Sequence, residues 1–349
     1  MARGAPRPTG DAFRALPVAV DAMGGDKAPG EIVAGARQVA DAGSVGVLLV
    51  GLPGGMGDTG DLPLLECSEV IGMDDDPAQG VRRKKDSSLV RAAEAVRDGR
   101  AMAMVSAGNT GATMASALLR MGRLPGVIRP AIATPIPDLK KDYPTILLDA
   151  GANAETTAAM QLQFAQMGAA YSTERYGVSR PRVALLSIGE EKSKGTPLVK
   201  ETHALLAEGG HGDFEFVGNV EGRDFFSDEA DVIVTDGFTG NVALKTLEGT
   251  LRFLLETLTD IFTRPEVADA AAVLLPHLLP LASTLDPEST GGAMLLGVDG
   301  VCVISHGSSS SVAMVNAITV AHDVAVGGLV EAIAASVRVD GVDDESVVG

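Results

Sequence analysis

Short apolar runs recur along the chain, and seven of them end in a small polar loop that a helix-like stretch follows. The runs occupy 17–21, 46–50, 101–106, 131–134, 145–149, 182–187, 214–217, 231–235 and 301–305. Most are continuous rather than alternating, the pattern of strands buried on both faces of a parallel sheet. Helical spacing of apolar residues fills 30–42, 87–99, 110–122, 156–171, 196–208, 240–262 and 308–337. The alternation predicts βα units with right-handed crossovers, and so an α/β fold: a mostly parallel twisted sheet with helices on both faces. The 308–337 stretch is apolar nearly all round, which places it inside the protein or at a subunit interface.

Two stretches break the rhythm. Residues 51–76, rich in Gly, Pro and Asp, read as a surface excursion. They contain a G-x-G-x-x-G at Gly55, Gly57 and Gly60, but Asp61-Leu-Pro63 follows where a dinucleotide fingerprint needs a helix, so that reading is rejected. Residues 251–286 read as a helical hairpin insertion interrupted by Pro265, Pro276 and Pro280. Its cluster of Leu274, Leu275, Leu278, Leu279 and Leu281 around His277 is expected to be buried core, with an exposed tip meeting a membrane or partner as the alternative. Residues 16–337 are expected to form a single α/β catalytic domain between a disordered tail at 1–15 and an acidic tail at 338–349.

The polar loops carry the candidate chemistry. They read Asp21-Ala-Met-Gly24-Gly25-Asp26, Ser106-Ala-Gly-Asn109-Thr110-Gly111, Asp149-Ala-Gly-Ala-Asn153, Ser187 to Lys194-Gly195, Gly218-Asn-Val-Glu-Gly222, Asp236-Gly-Phe-Thr239-Gly-Asn241 and Ser305-His306-Gly307-Ser308. Loops at the carboxyl ends of parallel strands are where α/β proteins build ligand sites. Small residues and helix starts there favour an anion, so the loops are expected along one edge of the sheet, around a phosphate-bearing substrate. Lys194 reads either as a phosphate clamp or as a solvated lysine paired with Glu190 or Glu191. His306, at a strand end, can hydrogen-bond a carbonyl or move a proton. Asn109 or Thr110 is expected to cap the next helix, and Lys245 lies about one turn into the helix after Asp236. Asp21, Asp26 and Asp149 are read as orienting loop N–H groups rather than holding a metal.

Composition narrows the class. The 349 residues are 46% hydrophobic but only 3% aromatic, so the core must be aliphatic. A formal charge of −18 argues against a nucleic-acid partner. Any anion site must therefore be locally basic or built from N–H groups; the one basic cluster is Arg82-Arg-Lys-Lys85, which reads as an acidic-partner or phosphate contact, or as a solvated run. Cys67 and Cys302 have no metal or disulfide spacing and read as reduced core thiols of a cytoplasmic protein. No Walker A, H-E-x-x-H, C-x-x-C or G-x-S-x-G pattern is present, so covalent catalysis by Ser or Cys is not signalled.

Taken in order, Val18-Ala-Val-Asp-Ala-Met-Gly-Gly-Asp26, Arg83-Lys-Lys-Asp-Ser-Ser88, Val105-Ser-Ala-Gly-Asn-Thr-Gly-Ala112, Val234-Thr-Asp-Gly-Phe-Thr-Gly-Asn-Val242 and Ile304-Ser-His-Gly-Ser-Ser309 closely resemble the acyl-ACP:phosphate acyltransferase family, PlsX, over about 17–334. The resemblance implies a fold like the isocitrate and isopropylmalate dehydrogenases. It implies a cytoplasmic homodimeric enzyme of bacterial phospholipid synthesis that makes acyl phosphate from acyl carrier protein thioester and inorganic phosphate, without cofactor or metal, and works at the inner membrane surface. The family's Lys-Gly pair is matched by Lys194-Gly195. On this reading Lys194, His306 and Asn241 are catalytic. The substrate side is Asp21, Gly24, Gly25, Asp26, Ser106, Asn109, Thr110, Gly111, Asp149, Asn153, Gly195, Asp236, Thr239, Lys245, Gly307 and Ser308. The family's hairpin usually carries several Lys, whereas 265–337 here has no Lys or Arg, so membrane contact would rest on apolar residues within 273–285. Rival readings are a phosphate acetyl- or butyryltransferase acting on acyl-CoA, a decarboxylating dehydrogenase, and a non-catalytic membrane scaffold.

Overall fold

A computed structural model describes residues 8–138, 140–285 and 287–337, with the side chains of 279–283, 285 and 287 left out. Eleven strands form one continuous sheet. They are β1 (Val18–Asp21), β2 (Val47–Gly51), β3 (Leu64–Glu66), β4 (Ala103–Ser106), β5 (Ala131–Ile136), β6 (Thr145–Leu148), β7 (Arg182–Leu186), β8 (Glu215–Val220), β9 (Val232–Val234), β10 (Ala293–Leu296) and β11 (Val301–Ile304), in the spatial order β3-β2-β1-β4-β11-β10-β5-β6-β9-β7-β8. The helices are α1 (Asp11–Arg14), α2 (Gly30–Asp41), α3 (Pro77–Arg83), α4 (Ser88–Arg97), α5 (Thr110–Arg120), α6 (Ala158–Tyr176), α7 (Pro197–Ala207), α8 (Gly237–Phe262), α9 (Ala268–Leu285), α10 (Ser311–Gly327) and α11 (Leu329–Ser336).

The continuous apolar runs are buried on both faces, as their pattern predicts. Val18 and Val20 of β1 and Ala103 and Val105 of β4 feed one core; Ala19 and Met104, pointing the other way, feed a second on the opposite face. Phe164 and Tyr171 of α6 are the largest residues of the first core, and each such fully buried side chain contributes about 1.5–3 kcal/mol. Helix starts follow the polar residues. Asn109, Thr196, Asp236 and Ser310 each accept a backbone N–H from the first turn of their helix, worth about 1 kcal/mol apiece.

The sheet is mostly parallel, as the apolar pattern predicts, with seven parallel and three antiparallel pairings, but its direction is not uniform. β3, β2, β1, β4 and β11 form one parallel block, and β6, β9, β7 and β8 another. Between them β10 pairs antiparallel to both β11 and β5, and β5 antiparallel to β6. Three successive reversals make the two blocks point in opposite directions. The polar loops therefore leave the sheet at two edges, not one.

Other corrections are local. β3 emerges from the 51–76 excursion as an edge strand, and β10 is a strand the apolar pattern did not separate from its surroundings. Gly328, at φ +84, divides the 308–337 stretch into α10 and α11, bent by 58°; no single helix among the described residues is long and apolar enough to cross a membrane. The helical hairpin starts at Gly237 rather than 251, and α9 runs through Pro276 and Pro280. Its Val273, Leu274 and Leu275 are exposed, against the expectation of buried core, while Leu279 and Leu281 lie outside the described side chains. Asp11–Arg14 is helical within the expected amino-terminal tail; 1–7 and 338–349 lie outside the described residues.

Candidate active site

The first block brings the ends of β1, β4 and β11 together. Asp21, buried at the end of β1, accepts the hydroxyl of Ser106 at 2.8 Å, and Ser106 accepts the N–H of Gly108 at 3.0 Å. Burial pushes the Asp21 carboxyl above its ordinary value against the hydrogen bonds of Ser88 and Ser106. A Cβ at Gly24 would sit 2.6 Å from Asp21 Oδ2 and 2.8 Å from the Gly108 nitrogen, so only glycine lets these two loops close on each other. Asp26 donates its N–H to the Gly307 carbonyl at 2.7 Å, tying in the third loop, with Gly25 beside both. Asn109 caps α5 and spends its amide on the carbonyls of Met73 and Asp75, at 2.7 and 3.4 Å. In the third loop, Ser309 donates to the His306 carbonyl at 2.6 Å, and His306 Nδ1 accepts the N–H of Ser308 at 3.2 Å.

The second block has its own cluster. Asp149, fully buried after β6, accepts N–H groups of Ile132, Gly151, Ala152 and Asn153 and the amide of Asn153, all within 3.1 Å. Its oxygens are thus occupied in shaping the loop. Asp236 caps α8 through the N–H and hydroxyl of Thr239, both at 2.8 Å. A Cβ at Gly240 would collide with the Asp149 carbonyl, so α8 starts hard against that loop. Asn241 donates to the Ala150 carbonyl at 3.1 Å, and Lys245 pairs with Glu248 at 2.7 Å.

A cavity of about 430 Å³ joins the two clusters across the middle of the sheet. Ile132 and Thr134 of β5, Ala293 of β10 and Ile304 of β11 contribute to its lining. Thr110, His306 and Ser308 line it from the first block; Asn241 and Lys245 line it from the second. Leu244, Leu251 and Leu255 add an apolar wall along α8, with Glu248, Arg252 and Glu256 beside it. Thus five sequence candidates meet at the cavity. Asp21, Gly24, Gly25, Asp26, Ser106, Asn109, Gly111, Asp149, Asn153, Asp236, Thr239 and Gly307 stand behind it as the loops' framework.

Lys194 and Gly195 are not brought there. They sit in the exposed loop between β7 and α7, where the Glu191 carbonyl accepts the Asn219 amide at 3.1 Å. Lys194 has no ion-pair partner among the described residues; Glu190, one of its two expected partners, pairs with Arg223 at 3.5 Å instead. The α8 wall escaped the motif reading. Its signal was present: Leu244, Glu248, Leu251, Arg252 and Leu255 recur at helical spacing on one face. Both cysteines are buried, and burial pushes Cys67 up to about 11 and Cys302 up to about 12, so neither offers a thiolate.

Comparison with known proteins is consistent with these features. The family described as "Fatty acid synthesis protein" matches residues 16–331. The phosphate acyltransferase of Heliobacterium modesticaldum is 47% identical over 315 residues, covering 87% of this chain and 92% of the relative. Among solved structures, a phosphotransacetylase from Streptococcus pyogenes superposes with a TM-score of 0.61 at 16% identity, over 89% of this chain and 94% of that one. 4-Hydroxythreonine-4-phosphate dehydrogenase from Klebsiella pneumoniae gives 0.50 at 14% identity, over 89% and 100%. These two likenesses are of fold alone, and they place the sheet in the isocitrate/isopropylmalate dehydrogenase-like architecture.

Proposed function

This chain belongs to the phosphate acyltransferase family, and from that premise we propose that its cavity transfers a fatty acyl group from acyl carrier protein to inorganic phosphate. One observation carries the reading: one cavity is lined both by polar groups of the two loop clusters and by a row of three leucines on α8, Leu244, Leu251 and Leu255. A phosphate and a fatty chain need those two environments, side by side.

The chemistry asks for little beyond placement. Phosphate is already a nucleophile at neutral pH, and a thiol leaving group has a pKa of about 8.5. A phosphate oxygen attacks the thioester carbonyl, the C–O bond forms, the C–S bond breaks, and the thiolate departs to take a proton. Holding the reactants together and stabilising the oxyanion supply the catalysis. Because His306 Nδ1 accepts a backbone N–H, the neutral ring carries its proton on Nε2, a donor for the carbonyl oxygen or the departing sulfur. Thr110 at the start of α5, Lys245 and Asn241 all line the cavity, and we assign the phosphate to them.

The outer faces of the hairpin support two finer proposals. Phe253 and Leu254 of α8 and Val273 and Leu274 of α9 are exposed apolar residues. We assign them to homodimer formation and to peripheral membrane contact, which sedimentation alone and with vesicles would separate.

The decisive experiment is mass detection of acyl phosphate from acyl carrier protein thioester plus phosphate. Product from acyl-CoA alone would move the donor to the rival reading, and no product from either would end the proposal.

A further inference from the structure

We propose that the exposed cations Arg82, Arg83 and Lys85 form the docking ridge for an acidic face of the acyl carrier, an inference that rests on the carrier-donor reading above. The charge pattern is the first ground. The chain carries a formal charge of −18, yet residues 82–85 are four successive cations; of the carboxylates flanking this run, Asp74, Asp75, Asp76 and Asp86, Asp75 is taken by Lys84 and Asp76 by the Gln79 N–H. Asp86 is itself engaged, by Arg91 at 2.6 Å and by Ser68.

The second ground is the division of labour inside the cluster. Lys84 is structural: its Nζ reaches Asp75 at 2.5 Å and the Val70 carbonyl at 2.8 Å. Arg82, Arg83 and Lys85 are exposed and form no ion pair among the described residues. Two cations in the last turn of α3 do complement its dipole, an effect of about 0.3–1 kcal/mol. That does not explain three unpaired cations in a chain with 46 Asp and Glu. Unpaired like charges repel one another, a cost that a complementary partner relieves.

Location is the third ground. The segment leading into α3 is bolted to the cavity rim by the Asn109 amide on the Met73 and Asp75 carbonyls. A Cβ at Gly111 would lie 2.8 Å from Pro77, and one at Gly307 would lie 2.9 Å from Met73. From Pro77 to Arg83 the helix advances only about 9 Å. A protein held on the ridge therefore presents a long thioester arm across the rim to Thr110 and His306. The apolar residues offered to a membrane lie instead on α8 and α9, which separates the two surfaces by chemistry.

The test uses the full chain and the charge-reversed variant R82E/R83E/K85E, which leaves Lys84 in place. Acyl phosphate formation is followed with acyl carrier protein thioester and, in parallel, with acyl-pantetheine, which has no protein surface. The expected result is a KM for the carrier thioester raised at least about tenfold, with kcat kept, acyl-pantetheine kinetics unchanged and the salt dependence of kcat/KM flattened. An unchanged KM for the carrier thioester overturns the ridge while leaving the function intact. If the unaltered protein uses acyl-pantetheine but not the carrier thioester, the donor reading has failed and the ridge goes with it. Loss of binding to anionic phospholipid vesicles with carrier kinetics preserved makes the ridge a lipid contact and also overturns the proposal.

Discussion

His306 Nδ1 accepts the backbone N–H of Ser308 at 3.2 Å, a contact that leaves Nε2 as the donor of the neutral ring. The Ser308 hydroxyl lies 2.8 Å from the same nitrogen and can donate to it in that tautomer. H306A is expected to lower kcat by about 10²–10³, the range for losing one oxyanion donor, with a smaller change in KM for phosphate. S308A keeps the backbone N–H and should cost less than about tenfold. Steady-state kinetics at fixed acyl donor measures both; near-normal turnover by a folded H306A removes His306 from the scheme.

Lys194 is expected to behave differently. Because it stands outside the cavity lining, K194A is expected to leave KM for phosphate and kcat nearly unchanged. An unaltered KM would leave the phosphate to Lys245 and the helix start at Thr110.

The α8 wall makes a length prediction. Replacing Leu251 or Leu255 by Trp fills the apolar arm of the cavity. Long acyl donors should lose about tenfold in kcat/KM, while short ones keep theirs. Uniform loss across chain lengths would show that the chain lies elsewhere.

Two glycines of α8 should respond with opposite signs. Gly249 has open space around its missing Cβ, so G249A is expected to stabilise the protein by about 1 kcal/mol through helix propensity. G240A forces a methyl into the Asp149 carbonyl and should destabilise by more than about 2 kcal/mol, with activity lost alongside. Urea unfolding followed by circular dichroism reads both.

Acid stability should carry two opposite signatures. Burial raises the Asp231 carboxyl, but the hydrogen bonds of Arg182 and the charges of Lys141 and Arg182 outweigh it and hold the group below its ordinary 3.8. Its contribution is complete above 3.8 and is lost as pH falls through the lowered folded value. Asp21 is raised, so the folded protein holds its proton longer, and this group's stabilising effect fades as pH climbs from 3.8 through the raised value. D231N should cost about 3 kcal/mol near neutrality and flatten the acid slope. D21N should remove the fading above 3.8, seen as a urea midpoint less dependent on pH in that window.

How much of this was legible in the chain follows from the range of the forces involved. Alternation of apolar and polar residues is local, and so are caps: Asn109 at the head of α5 and Asp236 at the head of α8 are set by hydrogen bonds three residues away. The rhythm of strand, loop and helix could therefore be read directly, as could the ordered loop motifs that carry the family. β10 was harder, because four apolar residues between glycines do not show whether they extend or coil.

The amino-acid order alone settled the kind of fold, the positions of most elements and the polar loops at the strand ends. Only the folded chain decided that the two blocks of strands oppose each other, that a cavity bridges them over β5 and β10, and that His306, Asn241 and Lys245 all line it while Lys194 stands apart. Strand direction is fixed by pairing between distant segments, as Ser106 finds Asp21 and Lys141 finds Asp231 across 85 and 90 residues. No periodicity within a single segment encodes such a partner, because the free energy that selects it is gained only when both surfaces leave water together.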